Sequence, residues 1–288
     1  MHSLLHNADV RASVTRDPVE FAERTRAFLA RRPIEHNLLA TVVATLEPGD
    51  CTDPPLFAWV QADAGGDVLG AVLRTPPRHL LASSMSAQAA GVLMPKLLEV
   101  DPELPGVNGP ESAAAYLAEA WRGCTGGTVE VGMSLAIYWL AHVEEPPRQP
   151  TGHSRTATPS DRELAIEWMR AFNREAGVVE ANVEFETARR LGDGRLFFWE
   201  DRRVVSMVGT SPPAAGVVRL GPVYTPRAAR RHGYATALVA DVSRRTLAAG
   251  ATRCMLYTDL AHTTSNSIYQ AVGYRRSNDA TEYHFSSG

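Results

Sequence analysis

The sequence predicts an α/β (α+β) protein made of two related domains in tandem. Three observations carry that expectation. The 288 residues match two ordinary domains at about 100 to 200 residues each. The order of helical and strand-like segments in the first half returns in the second. A short echo also recurs at an offset of 140, Leu56-Phe-Ala-Trp59 with Thr75-Pro-Pro77 against Leu196-Phe-Phe-Trp199 with Thr210-Ser-Pro-Pro213. With 44% hydrophobic and 21% charged residues, each half has apolar side chains enough for a core, which excludes disordered and fibrous classes.

In the first half, helices are expected near Val19 to Ala30 and Glu35 to Leu46, with His36 as a helix-start residue. Strands follow at Leu56 to Val60 and Val68 to Leu73, joined by a turn at Gly65-Gly66, and then at His79 to Ala82. Ala87 to Val100 reads as a helix, Gly106 to Gly109 as a strand, Glu111 to Arg122 as a helix and Val129 to Val143 as a strand. The stretch from Glu144 to Ser160 mixes proline with small polar and charged residues and has no apolar period. It reads as an interdomain linker, part of which can be an edge strand.

In the second half, Leu164, Ala165, Trp168, Met169 and Phe172 keep helical spacing behind a Ser160/Asp161 cap, and a further helix covers Val183 to Leu191. Leu196 to Trp199 and Val204 to Val208 form a hairpin about the charged turn Glu200-Asp-Arg-Arg203, and Gly216 to Thr225 is a third strand. A long helix runs from about Gly233 to Ala249, with Leu238, Val239, Val242 and Leu247 on one face and Gly250 as C-cap. A strand at Arg253 to Tyr257, a short helix from Ser265 to Val272 ended by Gly273, and a strand at Arg275 to Phe285 complete the chain. The expected domains are therefore 1–145 and 161–288, with 146–160 between them.

The net charge of −3 conceals an asymmetry. Residues 1–150 hold 11 basic and 18 acidic side chains (−7), and residues 151–288 hold 18 and 14 (+4). A net of +4 over a whole domain suits a small anionic ligand and is too weak for a surface that tracks nucleic acid. Lys96 is the only lysine, so the positive charge is nearly all arginine. Cys51, Cys124 and Cys254 are odd in number and widely spaced, without CxxC or a His/Cys cluster. Buried free thiols are expected, with no disulfide framework and no metal site. The N-terminus has no basic segment followed by an apolar core, and no apolar run reaches about 18 residues, which points to a soluble cytoplasmic protein without membrane partners.

The most informative segment runs from Val223 to Leu238. A strand ends at Thr225-Pro226, a basic turn follows, and Arg230-Arg-His-Gly-Tyr-Ala235 opens the long helix with small residues in its first turn. A helix N-terminus presents unpaired N–H groups and the positive end of a dipole, and glycine lets backbone approach a ligand, so this turn suits a pyrophosphate. Arg230 and Arg231 add charge there. Taken alone, the turn is equally a surface connection with solvated arginines. A dinucleotide site fails for want of GxGxxG and the acidic residue about 20 positions on.

Here the sequence resembles motif A of the GCN5-related N-acetyltransferase (GNAT) superfamily, whose [RQ]-x-x-G-x-[GA] pattern is met by Arg230, Gly233 and Ala235. Downstream, Ser265-Asn-Ser-Ile-Tyr-Gln-Ala-Val-Gly-Tyr274 resembles the superfamily's motif B. The resemblance covers residues 160–288 through motifs and 1–145 through element order alone. It implies two GNAT-like folds in tandem, each a mixed, mostly antiparallel central sheet flanked by helices. It implies acetyl-CoA or another acyl-CoA as co-substrate. The pantetheine arm would lie along Val223, Tyr224 and Thr225, beside a V-shaped parting of two strands, and the pyrophosphate would lie on N–H groups across Arg231, His232, Gly233, Tyr234, Ala235 and Thr236, with Arg230 also counted among the cofactor-binding residues. Asn266 would contact the cofactor, and Tyr269, three residues on and so on the same helix face, would protonate the departing thiolate. The alternative for this pair is a core tyrosine and a capping asparagine, and the presence of motif A favours the functional role. A base for the amine is not fixed by any motif; Glu180, Glu184, Glu186, Asp259, His262 and His284 are the residues to consider.

The first half lacks these features. Its corresponding turn, Ser83 to Gly91, has neither the glycine pattern nor an arginine, and Tyr116 stands in its late helix without the asparagine or the Gly-Tyr ending. The resemblance therefore implies a degenerate first domain and a catalytic second one, acting on a small-molecule amine as a monomer or homodimer. The rival expectation is a non-catalytic acyl-CoA-binding or regulatory protein of the same fold.

Overall fold

In a computed structural model, residues 10–46, 51, 53–63, 65–180, 182–261 and 263–287 are described. The chain divides into two compact units, residues 1–134 with 279–288, and residues 135–278. This differs from the expected division at 145 and 161, and the difference lies in where each half's last strand pairs.

The first unit contains β1 (Val10–Thr15), α1 (Pro18–Ala30), α2 (Asn37–Thr45), β2 (Leu56–Ala62), β3 (Val68–Arg74), β4 (Leu80–Ala82), α3 (Ala87–Val100), β5 (Gly106–Pro110) and α4 (Glu111–Thr125). The second contains β7 (His153–Thr156), α5 (Arg162–Ala176), α6 (Val183–Gly192), β8 (Leu196–Asp201), β9 (Arg203–Thr210), β10 (Val217–Tyr224), α7 (Tyr234–Ala248), β11 (Arg253–Asp259) and α8 (Thr263–Ala271). Two long strands, β6 (Thr128–Leu140) and β12 (Arg275–Ser286), each end one half of the sequence.

The first sheet runs β1-β2-β3-β4-β5-β12 and the second β7-β8-β9-β10-β11-β6. In each, one parallel pair (β4/β5, β10/β11) sits among antiparallel pairs. The two units thus repeat one topology with their final strands exchanged: Ala280 to His284 of β12 pair with β5, and Leu135 to Leu140 of β6 pair with β11. Alternating apolar residues announce a strand but not its partner, so the exchange has no signature in the sequence.

Successive residues of a strand face opposite sides of its sheet. Leu56, Ala58 and Val60 join the core under α3 and α4, built about Leu93, Leu117 and Trp121, while Phe57 and Trp59 meet Phe21, Leu29 and Leu39 of α1 and α2. In the second unit Leu196 and Phe198 pack with Ile166 and Trp168 of α5, while Trp199 packs with Leu238 and Val242 of α7. The repeat of architecture is therefore real, but the tetrapeptide echo is not its trace. Aligned at an offset of 140, Leu56 and Leu196 face opposite helix layers, because a shift of one residue reverses a strand.

Two strands were missed or blurred in sequence. β1 has apolar alternation only at Val10, Ala12 and Val14, too short to stand out, and pairs with β2 as an edge. β7 lies inside the expected linker and is the edge of the second sheet, pairing with β8. Of the cysteines only Cys254 is buried; Cys124 is exposed, contrary to the expectation of buried thiols. No helix among the described residues is long and apolar enough to cross a membrane.

Candidate active site

The second unit brings motif A to the place where its two parallel strands separate. β10 and β11 pair only from Val217↔Arg253 to Arg219↔Met255, although β11 continues to Asp259. On its other edge β10 pairs with β9, Leu220 opposite Thr210 and Val223 opposite Val208, so three steps of β10 span two of β9 and a bulge falls at Gly221-Pro222. Beyond Arg219 the β11-facing edge of β10 has no strand partner among the described residues. Ser206 holds the end of the strand in place, its hydroxyl donating to Tyr224 O at 3.2 Å and lying 2.9 Å from Thr225 Oγ1.

A 3-10 turn over Arg227–Ala229 leads to Arg231 and Gly233, both left-handed (φ 68° and 86°), and then to α7. Gly233 occupies the N-cap and no side chain caps the helix. As a result the N–H groups of residues 231–236 donate to no acceptor among the described residues, and the first helical bond of this end is Ala237 N–H to Gly233 O at 3.0 Å. A helix start normally meets its orphan donors with a Ser, Thr or Asp cap, as Asp17 does for α1 by accepting from Val19 N–H at 2.8 Å.

The side chains of the turn divide by task. Arg230 is turned back into the fold, its Nε donating to Thr225 O at 2.8 Å and its Nη2 to Glu175 at 2.6 Å, so its charge is already paired. His232 stacks on Tyr234 and bonds Arg230 O through Nδ1 at 2.8 Å, and the Tyr234 hydroxyl donates to Asp201 at 2.7 Å. Arg231 is exposed and unpaired among the described residues. Arg230, His232 and Tyr234 shape the loop; its free polarity among the described residues is in the backbone and in the Arg231 guanidinium.

Motif B forms α8. Its closing glycine, Gly273 (φ 98°), lies against Glu144 and His142 O, where a Cβ would collide. That turn sends Tyr274 under α7, where its hydroxyl lies 2.9 Å from Ser243 Oγ. Asn266 and Tyr269 occupy neighbouring turns of the helix. Asn266 Oδ1 is buried without a hydrogen-bond partner among the described residues. Tyr269 is 7% exposed, packs edge-to-face on Tyr274, makes no hydrogen bond through its hydroxyl among the described residues, and is pushed up to about 12 by burial. Between the start of α7 and α8 lies a cleft of about 190 Å³, lined by Gly233 and Thr236, by Ser267, Ile268 and Ala271, and by Pro146, Pro147 and Arg148.

Residues 162–274 match the model of the Acetyltransferase (GNAT) family. The GNAT domain is therefore assigned to the segment carrying both motifs. Residues 162–274 belong to the GNAT acetyltransferase family. No curated protein matches the chain. Solved structures similar to it include a GCN5-related N-acetyltransferase from Sphaerobacter thermophilus (16% identity, TM-score 0.63, covering 96% of this chain and 94% of that one) and a GNAT-family acetyltransferase from Colwellia psychrerythraea (10%, 0.64, 96% and 100%). A tandem GNAT protein of the clavulanic acid biosynthesis pathway is also similar (13%, 0.57, 97% and 99%). At these identities the likeness is one of fold, and it spans both units.

Within the GNAT domain the residues considered as bases are dispersed. Glu180 and Glu184 both pair with Arg170, and Asp259 accepts from Ala261 N–H at 2.8 Å, which closes the turn after β11. Glu186 lies on α6 near Arg190 and Arg219; burial lowers Arg190 to about 10, offset in part by Glu186. His262 is outside the described residues. His284 belongs to the first unit and not to the GNAT domain. Arg148 was not foreseen, because it sits in a proline-rich stretch without periodicity; the basic side chain in a segment set aside as a linker was the only signal.

Proposed function

We propose that the protein is an acyl-CoA-dependent N-acyltransferase that carries an acetyl group from acetyl-CoA to a small-molecule amine by direct attack. The observation that carries this reading is the row of N–H groups over residues 231–236 at the start of α7, free of acceptors among the described residues and within the family's motif. Such donors, reinforced by the helix dipole, suit a pyrophosphate. The buried, unpartnered Asn266 Oδ1 supports the same ligand, since an acceptor left without a partner costs about 1–3 kcal/mol and an amide N–H of the pantetheine arm would satisfy it.

Acetyl-CoA supplies an activated acyl group as its thioester. Arg231, His232, Gly233, Tyr234, Ala235 and Thr236 bind through their N–H groups, and Arg230 holds the loop rather than the phosphate. The end of β10 at Val223 and Tyr224, continued by Thr225 and unpaired on its β11-facing edge among the described residues, aligns the arm and offers N–H groups to the carbonyl oxygen on which charge develops. Tyr269, neutral at physiological pH, donates to the departing sulfur. Arg148 contributes a positive charge to the cleft beside Gly233. In this reading the enzyme works in the cytoplasm as a monomer or homodimer.

The test is a calorimetric titration with acetyl-CoA followed by a CoA-release assay over a panel of amines. Binding with amine-dependent release is expected. Absence of binding at millimolar ligand sinks the reading, and binding without release from any amine leaves a non-catalytic acyl-CoA-binding protein.

A further inference from the structure

We propose that His79, Glu282 and His284 in the first unit form a binding site for a divalent transition-metal ion of the zinc class. The three come from distant parts of the sequence and meet through sheet register. In the first sheet Leu80 lies opposite Val107 and Gly106 opposite His284, so His79, Gly106 and His284 fall in one row across β4, β5 and β12. Glu282 stands two residues before His284, on the same face of β12.

The middle of that row carries no side chain. Gly106 (φ 158°) leaves the space that lets the His79 and His284 rings approach to 4.9 Å between centroids, and a Cβ there would overlap Tyr283 O and lie 3.2 Å from His79 Cδ2. On the far side, a Cβ at Gly132 would overlap His284 Nε2 and lie 3.3 Å from Glu282 Oε1. Two glycines thus clear the ground on which two imidazoles and a carboxylate converge.

Each ring nitrogen is directed at a different oxygen of one carboxylate: His79 Nδ1 lies 3.5 Å from Glu282 Oε2, and His284 Nε2 lies 2.9 Å from Oε1. One donor atom from each of the three residues fits within a span of 4.8 Å. Zinc bound at about 2.0–2.2 Å from nitrogen and oxygen requires donors roughly 3.4 Å apart in a tetrahedron, so a shift of a few tenths of an ångström to about one ångström closes the site. His284, half exposed, can make that shift and leaves a path for entry. Two imidazoles with one carboxylate favour zinc and its neighbours over calcium or magnesium, which take oxygen ligands. Asn108 Nδ2 donates to Glu282 Oε2 at 3.3 Å, the outer-shell bond that orients a ligating carboxylate. Bound there, the ion would tie the last strand of the chain to the residue preceding β4.

The experiment uses the full-length, tag-free protein, stripped with a chelator and titrated with zinc chloride by calorimetry, with bound metal counted by mass spectrometry. The expected result is one equivalent of zinc per chain and a higher melting temperature. His284→Ala and Glu282→Gln, each checked for fold by circular dichroism, should weaken binding at least about 10-fold, as losing a ligand costs at least what losing an outer-shell partner does. Absence of stoichiometric binding would overturn the proposal and leave a hydrogen-bonded His-Glu-His cluster. So would equal binding by His284→Ala, the result expected if His2, His6 or Cys124 supplied the donors. Neither outcome bears on acetyl transfer, which is assigned to the other unit.

Discussion

Replacing Tyr269 by phenylalanine removes one oxygen from a buried helix face and separates two ways in which the residue can assist a departing thiolate. Burial pushes the phenol up to about 12, whereas an ordinary thiol lies near about 8.5. Handing the proton over completely is then uphill by roughly 3.5 pH units, close to 5 kcal/mol at about 1.36 kcal/mol per unit. A hydrogen bond donated to the developing sulfur charge needs no such transfer and is worth about 1.5–3 kcal/mol. Tyr269→Phe should therefore lower kcat about 10- to 150-fold, below or at the bottom of the 10²–10⁴ range typical of a proton-transferring acid. The KM for acetyl-CoA should be nearly unchanged, because the hydroxyl acts on charge that appears only in the transition state. Since the hydroxyl makes no hydrogen bond among the described residues, the variant should be as stable as the parent or slightly more so. With a folded value near 12, Tyr269 stays protonated through pH 10, so its ionisation should leave no alkaline limb on kcat up to that pH. Steady-state kinetics with a thiol reporter, beside urea unfolding, checks each point. An unchanged kcat removes Tyr269 from the mechanism, and a loss of about 10³-fold or more in a folded variant refutes the hydrogen-bond argument in favour of full proton transfer.

Arg148→Ala should weaken CoA about 2- to 10-fold, the range of an exposed charge-assisted contact, and leave pantetheine unaffected in the same titration; equal effects on both ligands would remove the phosphate from the explanation. Tyr274→Phe breaks the buried bond to Ser243 and should cost about 1–3 kcal/mol in urea unfolding, most of it recovered by the double variant Tyr274→Phe/Ser243→Ala, which leaves no orphaned hydroxyl. Asp161 is held well below the usual carboxylate range, chiefly by the paired bonds from Arg155 at 2.7 and 2.9 Å, opposed by its burial and aided by Thr158 N–H. Because the folded value lies below the unfolded one, this stabilisation is complete above about pH 4 and is lost as pH falls further; Asp161→Asn should be less stable at neutral pH, and the gap should narrow below about pH 4. A gap independent of pH would show that the ion pair is not its source.

Much of the GNAT domain was legible because its signals are local. The helical spacing of Leu164, Ala165, Trp168 and Met169 appears as α5, with Ala165, Trp168 and Met169 buried. The Arg230, Gly233, Ala235 pattern marks a helix start whose glycine does adopt a left-handed conformation. What the same pattern did not reveal is that Arg230 would spend its guanidinium on Thr225 O and on Glu175, since a side-chain partner 55 residues away leaves no trace in a motif.

The sequence by itself determined the number of domains, their class, the order of nearly all elements and the motif-bearing turn, all properties set within windows of a few to about fifteen residues by propensity, capping and apolar period. Only the tertiary structure decided which strand completes which sheet, that the tetrapeptide echo falls on opposite faces, and that Arg148 lines the cleft beside Gly233. It also decided that His79 meets Glu282 and His284, although the sequence held no metal-ligand spacing. Arg148 is placed by a proline-rich loop; the physical reason is common to the other three. Strand pairing is made by backbone groups that every residue carries, so register, and with it each cross-strand meeting of side chains, is chosen by the packing of the whole sheet.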